Sequence, residues 1–120
     1  METVPYIETL KRIRECRSDI RRVFEKVDVL MLPTMREPAP LISATINRTH
    51  SRTPSNVSAF NRFGTPALTL PCGFSDDGMP IGLQIVGPPY GELAVLAAAH
   101  AYEQATEWSQ QIPQIVKTKA

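Results

Sequence analysis

Between Ile7 and Val27 the apolar residues Ile7, Leu10, Ile13, Ile20, Val23, Phe24 and Val27 recur at intervals of three and four, with Cys16 filling the gap. Residues so spaced lie on one side of an α-helix, so the pattern predicts an amphipathic helix across the segment. The other face holds Lys11, Arg12, Arg14, Arg17, Arg21 and Arg22 beside Glu8, Glu15, Asp19 and Glu25. Opposite charges three or four residues apart make this a solvated surface laced with weak pairs rather than a recognition helix.

After Asp28 comes the unbroken apolar run Val29-Leu30-Met31-Leu32, stopped by Pro33. A short continuous run of this kind predicts a strand buried on both faces. Such a strand needs a layer above and a layer below, so helix plus strand alone are incomplete. Residues 34–54 form a long proline-rich connection, expected as a variable loop, lid or pocket wall. Ser55 to Asn61 then reads as a short helix capped by Ser55 and ended near Gly64.

From Ala67 to Phe74 the residues Leu68, Leu70, Cys72 and Phe74 alternate, and so do Ile81, Leu83 and Ile85 further on. With the turn residues Ser75-Asp76-Asp77-Gly78 between them, the two segments predict a β-hairpin. Pro71 has no N–H to donate and belongs at a sheet edge or a non-bonded position. Glu92 to Trp108 is rich in strong helix formers, and its alanines permit close packing on a sheet. Gln84 interrupts an apolar strand and is expected to find partners by bracing a neighbouring loop. The tail at 110–120 is polar.

Composition narrows the function classes. The 120 residues fit one domain, 1–120, and 13 basic against 12 acidic side chains create no field that would gather nucleic acid or anionic membrane. No apolar run reaches the roughly 20 residues of a spanning helix, and METVPYIETLKR lacks the apolar stretch of a secretion signal. A cytoplasmic protein is expected, with Cys16 and Cys72 as free thiols and the sequons at Asn47 and Asn56 coincidental.

A self-contained active site is absent from the pattern. There is no GxSxG elbow, HExxH pair or GxxxxGK[ST] loop, and neither His50 nor His100 has an adjacent acid to orient it. No metal-ligand set and no cofactor motif is present, so catalytic residues, metal and cofactor are all expected to be none. Cys72, in phase with leucines, is expected to be buried and unreactive. Asp76-Asp77 fits turn chemistry, and Glu92 fits the first turn of a helix.

Several stretches in order carry a family resemblance. They are Val27-Asp28-Val29-Leu30-Met31-Leu32-Pro33-Thr34, Pro38-Ala39-Pro40, Asn61-Arg62-Phe63-Gly64-Thr65-Pro66-Ala67-Leu68, Leu70-Pro71-Cys72-Gly73-Phe74, Gly78-Met79-Pro80-Ile81-Gly82-Leu83-Gln84-Ile85-Val86-Gly87 and Ala99-His100-Ala101-Tyr102-Glu103. From about Tyr6 to Pro113 the chain resembles the C-terminal third of the amidase-signature enzymes, among them amidases and the A subunit of glutamyl-tRNA amidotransferase.

The resemblance implies an α/β fold, here a segment of a mixed, twisted sheet, with a buried strand plus a β-hairpin flanked by helices. It implies carboxamide C–N hydrolysis through an acyl-enzyme by a Ser-Ser-Lys triad that lies upstream of the matched part. Lys11, Lys26, Lys117 and Lys119 match no catalytic position, and no Gly-Gly-Ser-Ser run occurs. By resemblance, the helix before the asparagine motif faces the acyl site, which makes Val57, Ser58, Phe60 and Asn61 the substrate-pocket candidates. Their lead, Ser55-Asn56-Val57-Ser58-Ala59-Phe60, departs from the Tyr-Thr-x-Pro-like lead of many members. The chain is therefore expected to be inactive alone and to need the upstream half of an amidase domain, from the same gene or a separate chain. The alternative is a non-catalytic module that binds or dimerises to cover its open sheet edges.

Overall fold

The computed structural model describes residues 3–46 and 55–111. Helix α1 spans Thr3–Val23, strand β1 Leu30–Pro33, a single helical turn α2 Ile42–Thr45 and helix α3 Asn56–Phe63. Strands β2 (Ala67–Phe74) and β3 (Pro80–Val86) follow, then helix α4 (Glu92–Ala105) and a 3-10 turn at Trp108–Gln110. Asn47, His50, Lys117, Lys119 and most of the polar tail lie outside the described residues.

Helix α1 starts earlier and stops earlier than the apolar spacing alone suggests. Pro5 is tolerated in the first turn, where its missing N–H has no intrahelical partner to lose. Arg21 and Arg22 in the last turn complement the negative end of the helix dipole. Of the many charges spaced for pairing, Arg22 and Asp19 meet at 3.8 Å on the surface.

The three strands are antiparallel in the order β1-β3-β2. Register fixes the two faces. Met31, Ile85 and Leu68 stand abreast, as do Leu32, Gln84 and Thr69 one residue along. Helix α4 packs on the first of these faces, where Ile85, Val95 and Ala99 form the core with Leu68, Leu70, Leu83 and Ala98 around it.

Strand β1 corrects the expectation of burial on both sides. Leu30 and Leu32 are half-buried, but Met31 is 52% exposed and Pro33 is exposed. Met31 lies on the α4 face, and α4 packs over β2 and β3, leaving this edge strand uncovered on that side.

The hairpin forms as the alternation requires, closed by Ser75 N–H donating to Met79 O at 2.9 Å and Gly78 N–H donating to Ser75 O at 2.8 Å. The Ser75 hydroxyl donates to the Asp77 carboxylate and accepts from Met79 N–H at 3.0 Å, which is the turn chemistry read from that pair. Pro71 does sit in an edge strand. The alternation breaks just beyond it: Pro71 faces Gly82 and Gly73 faces Ile81, so Cys72 is an extra residue in a bulge. Cys72 is thus only partly buried, and Phe74 is half exposed, edge-on to Trp108 at 6.1 Å.

Gln84 is 2% exposed, yet its Oε1 has no hydrogen-bond partner among the described residues, contrary to the expected brace. The nearby hydroxyls of Thr34 and Thr69 are bonded to each other at 3.2 Å instead. They meet above Gly82, where an added Cβ would come within 2.8 Å of Thr34 Oγ1 and 2.9 Å of Thr69 Cγ2. Among the described residues no helix is long and apolar enough to cross a membrane.

The molecule is expanded for its length, with a radius of gyration of 17.9 Å, against about 14 Å for a compact chain of this size. Its core is correspondingly small. Replacing Gly82 with alanine is expected to push the two threonines apart and destabilise the chain by about 1–3 kcal/mol. Urea unfolding of Gly82→Ala checks this, and an unchanged midpoint would show that the two threonines can separate at no cost.

Candidate functional site

The candidate residues Val57, Ser58, Phe60 and Asn61 all fall on α3, whose ends are set by local chemistry. Ser55 takes the extended conformation of an N-cap, and its Oγ accepts from Val57 N–H at 3.2 Å. Gly64 closes the helix in the left-handed conformation, φ 70°, with its N–H donating to Phe60 O at 3.0 Å. Arg17 of α1 donates from Nε to Arg62 O at 3.1 Å, satisfying a carbonyl of the last turn and tying the two helices together.

The four side chains do not share one environment. Phe60 is buried and meets Phe63 edge to face at 6.1 Å. Val57 and Ser58 are half-buried, and the Ser58 hydroxyl donates to Ser55 O at 2.9 Å, so its proton serves the helix start. Asn61 is exposed. The helix thus presents a partly open side with one amide at its edge and an aromatic anchor beneath.

Asn56 is a contributor that the sequence pattern did not single out. Its Nδ2 donates to Pro33 O at 2.8 Å, fixing the start of α3 to the end of β1. In the sequence it stands out only as part of a sequon, and nothing in its neighbours marks the contact 23 positions away. Ser55 Oγ also approaches Met35 Sδ at 3.9 Å.

Beside this junction lies a concavity of about 540 Å³ whose lining includes Pro33, Met35, Pro38, Pro40 and Ile81, with Arg36 and Glu37 also in its wall. It is formed by the connection after β1 and the start of β3, and α3 does not line it. Among the described residues, neither His100, exposed on α4, nor Cys72, whose Sγ lies 3.5 Å from Ile81 O, is placed with a base or an acid partner. Among the described residues no three His, Cys, Asp or Glu side chains gather as a metal site.

Comparison with known proteins covers almost the whole chain. The sequence model of the family described as Amidase matches residues 1–96. The A subunit of the glutamyl-tRNA(Gln) amidotransferase of Thermodesulfovibrio yellowstonii is 39% identical over 111 residues, which are 90% of this chain and 23% of that protein. Its counterpart in Methanosarcina barkeri is 43% identical over 110 residues, again 90% of this chain and 23% of the relative. Among solved structures, a 6-aminohexanoate cyclic dimer hydrolase superposes with a TM-score of 0.78 at 28% identity, over 97% of this chain and 27% of its own. The chain therefore spans only 23% of the length of these curated relatives.

Two substitutions separate the helix's scaffold from its open side. Ser55→Ala is expected to cost about 1 kcal/mol through the lost cap, whereas Asn61→Ala stays within about 0.5 kcal/mol because the side chain is exposed. Paired denaturation curves check this, and equal losses would show that Asn61 helps to hold the helix.

Proposed function

Because this chain belongs to the amidase family, we propose that it serves as the C-terminal portion of a carboxamide C–N hydrolase domain. It supplies sheet and acyl-pocket wall to a catalytic part carried elsewhere, in the same polypeptide or a separate one, and it does not hydrolyse amides alone.

The observation that carries this reading is the uncovered apolar surface around β1. Met31 lies open on the α4 side of the sheet. Val23, Val27 and Leu30 line an apolar hollow of about 540 Å³ at the start of the same strand. An edge strand with apolar residues on an open face calls for a further layer.

In this reading Val57, Ser58, Phe60 and Asn61 line the acyl side of the pocket, Phe60 from beneath and Asn61 as a polar contact at the rim. A mostly apolar wall with a few placed polar groups suits the acyl part of an amide substrate. The nucleophile is not among them. The Ser58 hydroxyl donates to Ser55 O, Lys11 and Lys26 are exposed on α1 and the turn after it, and Cys72 sits in the hairpin bulge. By family resemblance the acyl-enzyme forms on a Ser-Ser-Lys triad of the missing part, with this chain orienting the substrate and excluding water. Two free thiols, Cys16 and Cys72, suit a reducing cytoplasm.

The test is complementation. The purified chain is expected to give no hydrolysis of simple carboxamides above background. Mixed or co-expressed with a polypeptide carrying the Gly/Ser-rich signature and catalytic lysine, it is expected to form a complex that hydrolyses them. Met31→Glu should weaken that complex. Turnover by the chain alone that survives Cys72→Ala would overturn the proposal, and so would failure to bind any catalytic part of the family.

A further inference from the structure

We infer that Asn56 is a positioning residue for the proposed amide hydrolysis: it holds α3 to the end of β1, so that the acyl wall runs on into the neighbouring concavity and selects carboxamides with a long apolar acyl chain. The inference rests on the amidase reading and deepens it by naming a substrate class.

Two contacts at the start of α3 build the junction. Asn56 Nδ2 donates to Pro33 O at 2.8 Å, and Ser55 Oγ approaches Met35 Sδ at 3.9 Å. Pro33 and Met35 are themselves part of the concavity's wall. Asn56 lies four residues before the buried Phe60 and so on the same side of the helix. Packing of Phe60 holds one end of that side, and the bond to Pro33 holds the other. Both Ser55 and Asn56 fall in the lead where this chain departs from the Tyr-Thr-x-Pro-like pattern.

The open side of α3 leads toward the same junction. Asn61 is exposed, and Val57, half-buried, stands one turn nearer the helix start on the same side. Next come Ser55 and, across the junction, Met35. From Asn61 back to Ser55 the helix rises by about 9 Å. A short acyl group whose carboxamide meets Asn61 therefore ends on α3. An extended chain passes Val57 and reaches Met35.

The concavity suits such a chain. Pro33, Met35, Pro38, Pro40 and Ile81 give it an apolar wall, and its volume is about 540 Å³, within the roughly 300–1,000 Å³ of small-molecule sites. Arg36 and Glu37, adjacent and of opposite charge, are its charged lining residues and leave the wall without net charge. An uncharged hydrocarbon end fits that wall better than an ionised one.

Hydrolysis of acetyl and decanoyl p-nitroanilides by the complex of this chain with a catalytic part tests the inference. The parent complex is expected to favour the decanoyl substrate in kcat/KM by roughly tenfold or more. Asn56→Asp keeps the shape and suits the first turn of a helix, but removes the donor to Pro33 O. It should lower that preference about fivefold, the worth of one ordinary hydrogen bond. Asn56→Gln retains an amide donor and should keep most of the preference, while Met35→Asp should remove it. A merely structural loss would lower both rates together and leave their ratio unmoved, and circular dichroism checks that each variant keeps its helices. A parent complex that hydrolyses both anilides without preference, or an Asn56→Asp complex with an unchanged ratio, would overturn this inference and leave the amidase reading standing. A parent complex that hydrolyses neither would overturn the amidase reading and this inference with it.

Discussion

Strand β3 is the member on which the other elements depend, because it alone among the described strands is paired along both edges. Its residues Gln84, Ile85 and Val86 are the most completely buried side chains among the described residues. Strands β1 and β2 do not pair with each other; each takes its register from β3. In a sheet with one set of residues turned to a helix, a slip of one position would exchange the faces of every side chain. The contact above Gly82 works against such a slip. Thr34, just past β1, and Thr69, within β2, reach each other over the central strand only because no Cβ stands between them.

The remaining elements each bury one side and leave another open. Helix α4 commits Val95 and Ala99 to the sheet, and α1 is joined to α3 through Arg17 and the last turn of the shorter helix. Long helices in folded proteins owe most of their stability to packing of an apolar face rather than to propensity. Helix α1 has 21 residues and much of its apolar surface, Ile7 and Val23 included, meets solvent. An expanded radius of gyration and a small core are two aspects of the same shortage of covering layers.

What was legible in the sequence was what local chemistry decides. The Ser55 cap, the Gly64 stop, the Ser75 to Gly78 turn and the edge position of Pro71 follow from single residues and their nearest neighbours. The bulge at Cys72 was not legible, since the alternation Leu68, Leu70, Cys72, Phe74 runs through it unbroken. Burial of β1 differs for another reason: an apolar run records what a strand would meet in a complete sheet, not whether the cover is present. Within the candidate site the helix could be read, but not that Phe60 turns inward and Asn61 outward, nor that Asn56 reaches Pro33. Those outcomes depend on partners far along the chain.

Two buried polar atoms connect this incompleteness to stability. Thr65 Oγ1 and Gln84 Oε1 are closed off from solvent without a hydrogen-bond partner among the described residues. An unmet buried polar group costs about 1–3 kcal/mol, a sizeable part of the roughly 5–15 kcal/mol that holds an ordinary domain folded. With so few apolar residues buried, the chain has little to set against that cost. On the proposed reading, a catalytic part that binds only the folded form would raise stability by mass action, by about 2.7 kcal/mol at one hundred times its dissociation constant. Folding of this segment and completion of the active site are then one coupled equilibrium. On that reading, α3 is held most firmly once the rest of the domain has bound.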